Sequence, residues 1–256
     1  MSRIGAAMGR RKNLIAYITL GYPSVDTALE LVPELASWGC DVVELGIPFS
    51  DPLADGMTIQ AASHRALRNG VTPALCLDIA AQLREKVEIP LIFMTYCNPV
   101  LAYGVESFCR AAAQAGVDGL IIPDCPPEEG DEIELCARSN AMDVVYMLAP
   151  TSSEERIDLV AQQSSGFIYL VSVSGVTGTR QSLSLGLEEF VNRVRERTPL
   201  PLCVGFGIST PAQAGAVARM ADGVIVGSRL IQLLDEHSAG EIKEFIGGLR
   251  DAIDSS

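Results

Sequence analysis

Residues 43–56 read VELGIPFSDPLADG, an apolar, β-branched run that breaks into a turn-rich loop. The run carries one carboxylate, Glu44, and two more, Asp51 and Asp55, follow in the loop. A strand with no polar alternation is expected where both of its faces are covered, as in a parallel sheet flanked by helices. For Asp51 and Asp55 two readings stand level. Ser-Asp-Pro and Asp-Gly form turns well, and the same carboxylates suit a functional loop. Glu44 is different, because no Lys or Arg lies between Lys12 and Arg65. An ion pair would need a partner from far along the chain, and a buried unpaired carboxylate calls for a functional reason.

Outward from that stretch, similar runs recur. They are LIAYITL (14–20), VVELGI (42–47), PLIFMTY (90–96), GLIIPD (119–124), VVYMLA (144–149), FIYLVSV (167–173), LCVGFGI (202–208) and GVIVGS (223–228). Between them lie helical stripes. Ala28, Leu31, Val32 and Leu35 form one, with Ser24 or Asp26 as cap and a kink expected at Pro33. Ile242, Phe245, Ile246, Leu249 and Ile253 form another. Thr151 and Glu154 have capping-box spacing at the start of the helix after the fifth run. A weak repeat, seen in WGCDVVEL, AGVDGLII and MADGVIVG, joins a helix end to an Asp and then a strand. Eight strand–helix units in 256 residues fit one α/β domain spanning 1–256, a (β/α)8 TIM barrel, better than an open sheet. Eight repeats alone do not prove closure. In a barrel the catalytic groups sit at the C-terminal ends of strands and in the loops beyond. Glu44, Asp51 and Asp55 occupy such positions.

The net charge of −13 argues against a nucleic-acid or anionic-membrane partner, since both need a basic face. No signal peptide is expected at the N-terminus, and no apolar run approaches the roughly 18 residues of a membrane helix. The seven cysteines are scattered without a CxxC pair and only two histidines are present. This predicts buried thiols in a reducing, cytoplasmic setting and no zinc-type metal site. Lys12, Lys86 and Lys243 are not at strand C-termini, which disfavours a Schiff-base mechanism. His64 and His237 fall in helical stretches. Proton transfer is left to carboxylates and to the strand tyrosines Tyr17, Tyr96, Tyr146 and Tyr169. Burial would raise the pKa of Glu44 towards neutrality, whereas Asp55 beside Gly56 is expected to be better solvated and ionised. SGVTG (174–178), GFGIS (205–209) and VGSRL (226–230) close the last three strands. Gly-flanked turns in consecutive barrel loops, leading into a helix N-terminus, read as a phosphate cradle in which Ser228 can donate.

VELGIPFSDPLADG, MTYCNPV, IPDCPPEE, SGVTG, GFGIS and GVIVGSRL resemble, in order and spacing, the motifs of the tryptophan synthase alpha subunit. The resemblance runs from YITLGYP to the final helix. It implies retro-aldol cleavage of indole-3-glycerol phosphate to indole and glyceraldehyde 3-phosphate. It implies that Glu44 is the acid/base serving indole C3 and the glycerol hydroxyl. Asp55 would engage the indole N–H, and Tyr169 would line the site near the glutamate. Tyr17 and Tyr96 match substrate-pocket positions, and Thr177 and Gly178 match a mobile loop over the substrate. Gly207, Gly227 and Ser228 match phosphate-binding positions. The implied partner is a pyridoxal-phosphate beta subunit, in an alpha2-beta2 tetramer contacted through Pro48, Asp51 and Asn98. The cofactor belongs to that partner and none to this chain. Four positions depart from the family pattern: Ala16 for a frequent Pro, Met57 for Pro after Asp-Gly, Cys97 for Tyr and Cys125 for Leu. None removes a catalytic group, and Met57 is expected to loosen the loop beside Asp55.

Overall fold

A computed structural model describes residues 2–172, 180–205, 207–235 and 239–256, with backbone alone for 180–185. Among the described residues nine strands form one sheet: β1 Asn13–Thr19, β2 Val42–Gly46, β3 Leu91–Met94, β4 Gly119–Ile121, β5 Asp143–Val145, β6 Met147–Leu148, β7 Ile168–Val171, β8 Leu202–Gly205 and β9 Gly223–Val226. Every pairing is parallel, in the order β5-β4-β3-β2-β1-β9-β8-β7-β6. The two ends of this order, β5 and β6, are consecutive halves of the predicted run 144–149, interrupted at Tyr146. One half pairs with β4 and the other with β7, so eight runs close into a barrel through one bent strand.

The helices around it are α1 Arg3–Met8, α2 Thr27–Ser37, α3 Met57–Arg68, α4 Pro73–Arg84, α5 Cys97–Tyr103, α6 Val105–Gln114, α7 Asp131–Ser139, α8 Glu154–Gln163, α9 Arg180–Arg195, α10 Pro211–Ala218, α11 Ser228–Asp235 and α12 Ala239–Asp254. Strand residues divide into two cores. Leu14, Ala16, Val43, Leu45 and Phe93 face outward beneath the helices. Ile15, Tyr17, Val42, Ile92, Ile121, Tyr169, Cys203 and Ile225 fill the lumen, which α1 plugs from below with Ile4 and Met8.

One helix start differs from expectation. The hydroxyl that caps α8 is Ser153, accepting from the Arg156 N–H, because Ser152 is drawn back to donor Ala149 N at 3.0 Å and moves the helix start past Thr151. Helix α2 continues through Pro33, and Lys86 donates to the Leu29 carbonyl that the proline cannot reach (3.1 Å).

The Asp of the sequence repeat has one job at three places. Asp41, Asp118 and Asp222 each accept from an N–H at the start of a neighbouring strand, at Leu14 (2.8 Å), Leu91 (2.9 Å) and Leu202 (2.9 Å). Each carboxylate also pairs with an arginine, Arg250, Arg84 and Arg195 respectively. A β-sheet's first N–H groups are thereby satisfied at the closed base of the barrel, away from the mouth. Replacing Asp118 with Ala would leave both the Leu91 N–H and the Arg84 guanidinium short of a partner. We expect a loss of about 3 kcal/mol in urea unfolding, with no change in the chemistry at the opposite end.

Candidate active site

Strand β2 places Glu44 in the lumen, because Val42 and Gly46 share its face and Val43 and Leu45 take the other. In register beside it stands Tyr17 of β1. Gly46 leaves room for the Tyr17 ring: a Cβ there would lie 2.2 Å from the Tyr17 hydroxyl oxygen. That hydroxyl shares a hydrogen bond with Thr19 Oγ1 at 3.3 Å. Across the barrel, Tyr169 of β7 lies against Gly205 in the same way, its hydroxyl 2.1 Å from where a Cβ would be. Glu44 is 1% exposed, and neither carboxylate oxygen has a hydrogen-bond partner. Burial pushes its pKa up from 4.5 to about 8. An acid that holds its proton at neutral pH, with both oxygens free to meet a ligand, suits general acid–base work.

Asp55 enters from the β2–α3 loop. Tyr96, 41 residues on, donates its hydroxyl to Asp55 Oδ2 at 3.0 Å and accepts from Ala54 N at 3.1 Å. The Tyr96 ring also packs on Phe49, centroids 5.3 Å apart. The loop is thus held down over the mouth. Asp55 is drier than its neighbour Gly56 suggested: it is half-buried, its Oδ1 lacks a partner, and burial lifts its pKa from 3.8 to about 6 despite the Tyr96 hydrogen bond. It still ionises below pH 7, so the two carboxylates keep opposite protonation states at neutrality.

Glu44, Asp55, Tyr17 and Tyr169 line a cavity of about 340 Å³ at the C-terminal mouth, and Gly207, Gly227 and Ser228 form another part of its wall. Ile59, Met94 and Ile225 supply apolar surface between the polar groups. Tyr96 is absent from this wall and reaches the site through Asp55. Of the remaining expected positions, Pro48 is buried at the end of β2, while Asp51 and Asn98 are exposed on the rim. Thr177 and Gly178 lie outside the described residues, as does His237.

Sequence reasoning did not single out Ser209, Arg229 or Gln232, which also line the cavity. The signal was present, since Ser209 and Arg229 lie within the glycine-turn motifs GFGIS (205–209) and VGSRL (226–230). Lys12 and Lys86 donate to backbone carbonyls, Ala221 O at 2.8 Å and Leu29 O at 3.1 Å, remote from this mouth. Among the described residues no three His, Cys, Asp or Glu side chains cluster as a metal site would require, and no helix is long and apolar enough to cross a membrane.

Fold and cavity together define a class, a (β/α)8-barrel enzyme with paired carboxylates shielded in its C-terminal mouth. A family model described as tryptophan synthase alpha chain matches residues 6–248. A protein of Dehalococcoides mccartyi named tryptophan synthase alpha chain is 56% identical over 255 residues, which is 99% of this chain and 100% of that one. The crystal structure of tryptophan synthase subunit alpha from Legionella pneumophila superposes with a TM-score of 0.92 at 36% identity, covering 100% of both chains. Ligand-free tryptophan synthase from M. tuberculosis gives a TM-score of 0.91 at 35% identity over 99% of each chain. The chain belongs to the tryptophan synthase alpha chain family, the lyases that cleave indole-3-glycerol phosphate in tryptophan biosynthesis.

Proposed function

We propose that Glu44 and Asp55 carry the retro-aldol step on indole-3-glycerol phosphate, with the indole between Tyr17 and Tyr169 and the phosphate at Gly207, Gly227 and Ser228. The protonated Glu44 delivers its proton to indole C3, and Asp55 accepts the indole N–H and stabilises the positive charge that develops on the ring. The ionised Glu44 then takes the proton of the glycerol hydroxyl next to the ring. The C–C bond breaks, its electron pair returns to the indole, and glyceraldehyde 3-phosphate and indole result. Tyr96 holds Asp55 in place for this. The observation that supports the reading most directly is Glu44 itself, dry, pointing inward and with both oxygens unpartnered beside the cavity.

The chain acts as a single barrel domain within an alpha2-beta2 assembly, through a surface that includes Pro48, Asp51 and Asn98. Support comes from two large apolar side chains on the rim, Leu53 at 89% and Met57 at 87% exposure, flanking Asp55 where a partner would cover them. Pyridoxal phosphate is carried by the beta partner. The cytoplasm is its compartment, in keeping with seven free thiols, five of them buried.

The direct test is indole release from purified chain plus indole-3-glycerol phosphate, with and without a beta subunit. Slow release alone and faster release with the partner is the expected result, and no indole under either condition would overturn the reading. Ser228→Asp places an anion against the phosphate and is expected to raise KM at least tenfold. An unchanged KM would remove the phosphate assignment.

A further inference from the structure

The phosphate end of the cavity contains a charge that the motif positions do not account for. Gly207, Gly227 and Ser228 offer backbone N–H groups and one hydroxyl, all neutral. Arg229 follows directly, as the second residue of α11, half-buried and on the cavity wall. Among the described residues lining the cavity it is the one cation. The surrounding chain carries a net charge of −13, which repels an approaching dianion, so attraction has to be local.

The position of Arg229 is unfavourable for the helix taken alone. The first turn of a helix concentrates unpaired N–H groups and the positive end of the macrodipole, which disfavours a cationic side chain. Gly227 O accepts from Ile231 N at 3.0 Å, so α11 is already wound at this point and its dipole is in place. No acidic residue stands in that first turn. An anion bound at the same terminus reverses the sign, because it meets both the dipole and the guanidinium. One turn on, Gln232 accepts from Arg229 Nη1 at 3.5 Å and lines the same cavity, which keeps the guanidinium at the mouth.

We propose that Arg229 is a specificity-determining residue, supplying the positive charge by which the cradle selects a phosphate-bearing substrate. This rests on the reading of Gly207, Gly227 and Ser228 as the phosphate site. A guanidinium offers two parallel donors to phosphate oxygens, which an ammonium does not.

Arg229→Gln keeps a polar side chain and removes the charge. Inorganic phosphate, as a competitive inhibitor, should bind the variant roughly tenfold more weakly, the lower end for a charged hydrogen bond at a half-buried position. KM for indole-3-glycerol phosphate should rise by a similar factor, the loss falling on KM rather than kcat. Affinity for indole, which carries no anion, should not change, and Arg229→Lys should restore part of the phosphate affinity. Two results would overturn the proposal: phosphate binding unchanged in Arg229→Gln, or indole and phosphate binding weakened alike. If Ser228→Asp still raises KM in the first case, the cradle stands and only the role of Arg229 falls. If neither substitution affects phosphate, the cradle reading itself is wrong.

Discussion

Glu44→Gln should leave an enzyme that binds indole-3-glycerol phosphate and scarcely turns it over, with kcat reduced by roughly 10³–10⁴-fold. That is the range for losing a general acid–base group, and in the proposed mechanism one side chain serves two proton transfers in succession. Gln keeps the volume and polarity of Glu44 but cannot give up or receive the proton. Substrate binding should change little, because the carboxylate contributes its proton chiefly to the transition state. Single-turnover indole formation, with binding measured separately, would decide the matter, and wild-type turnover in the variant would remove the assignment.

The same substitution should stabilise the protein. Burial holds the Glu44 proton up to about 8 against an ordinary value of 4.5, so the folded chain binds that proton more tightly than the unfolded one. Below pH 4.5 both states are protonated and no cost exists. As pH rises from 4.5 towards 8 the unfolded chain ionises freely while the folded one resists, and stability falls by about 1.4 kcal/mol per pH unit. At pH 7 that amounts to about 3 kcal/mol. Glu44→Gln should therefore melt higher than the wild type at pH 7–8, with the gap closing near pH 4.5. A residue retained at such a cost is one that function requires.

Asp55→Asn is the second large effect expected, a fall of roughly 10²–10³-fold in kcat. The amide oxygen can still accept from Tyr96, so the loop should keep its place while the negative charge facing the ring is lost. KM should move less than kcat. The wild-type pH profile of kcat/KM carries the same information. The proposed mechanism requires Asp55 ionised, which sets a fall below about 6, and Glu44 protonated at the start, which sets a fall above about 8. Asp55→Asn should flatten the acid limb and leave the alkaline one. A profile flat through pH 8 would mean that Glu44 does not start the reaction as an acid.

Much of this was legible in the chain itself. A glutamate inside an unbroken apolar run, with no basic residue within about twenty positions on either side, carries its own argument, since dehydrating a carboxylate is expensive wherever the strand ends up. The repeated Asp before each strand was visible as a pattern, though its work as an acceptor for a neighbouring strand's N–H needed the register. Asp55 was harder. Its loop composition reads as solvated, and it is the hydroxyl of Tyr96, donated from between β3 and α5, that holds it at the mouth. The sequence pattern puts the cap of α8 two residues early because Thr151, Ser152 and Ser153 are all able to cap, and the choice depends on where the chain leaves the barrel wall.

Determined by the sequence alone were the eight apolar runs, their parallel and doubly covered character, and the presence of an acid group where water would be scarce. Those are local properties, set by side-chain type and spacing along a few residues. The tertiary structure decided what no spacing could reveal: that β5 pairs with β4 and β6 with β7 to close the ring, that Tyr17 stands beside Glu44 and Tyr169 across the ring from it, packed over Gly46 and Gly205, and that Arg229 shares one cavity with Glu44 and Asp55. These are meetings of residues tens or hundreds of positions apart, and they are fixed by strand order and register around a closed barrel.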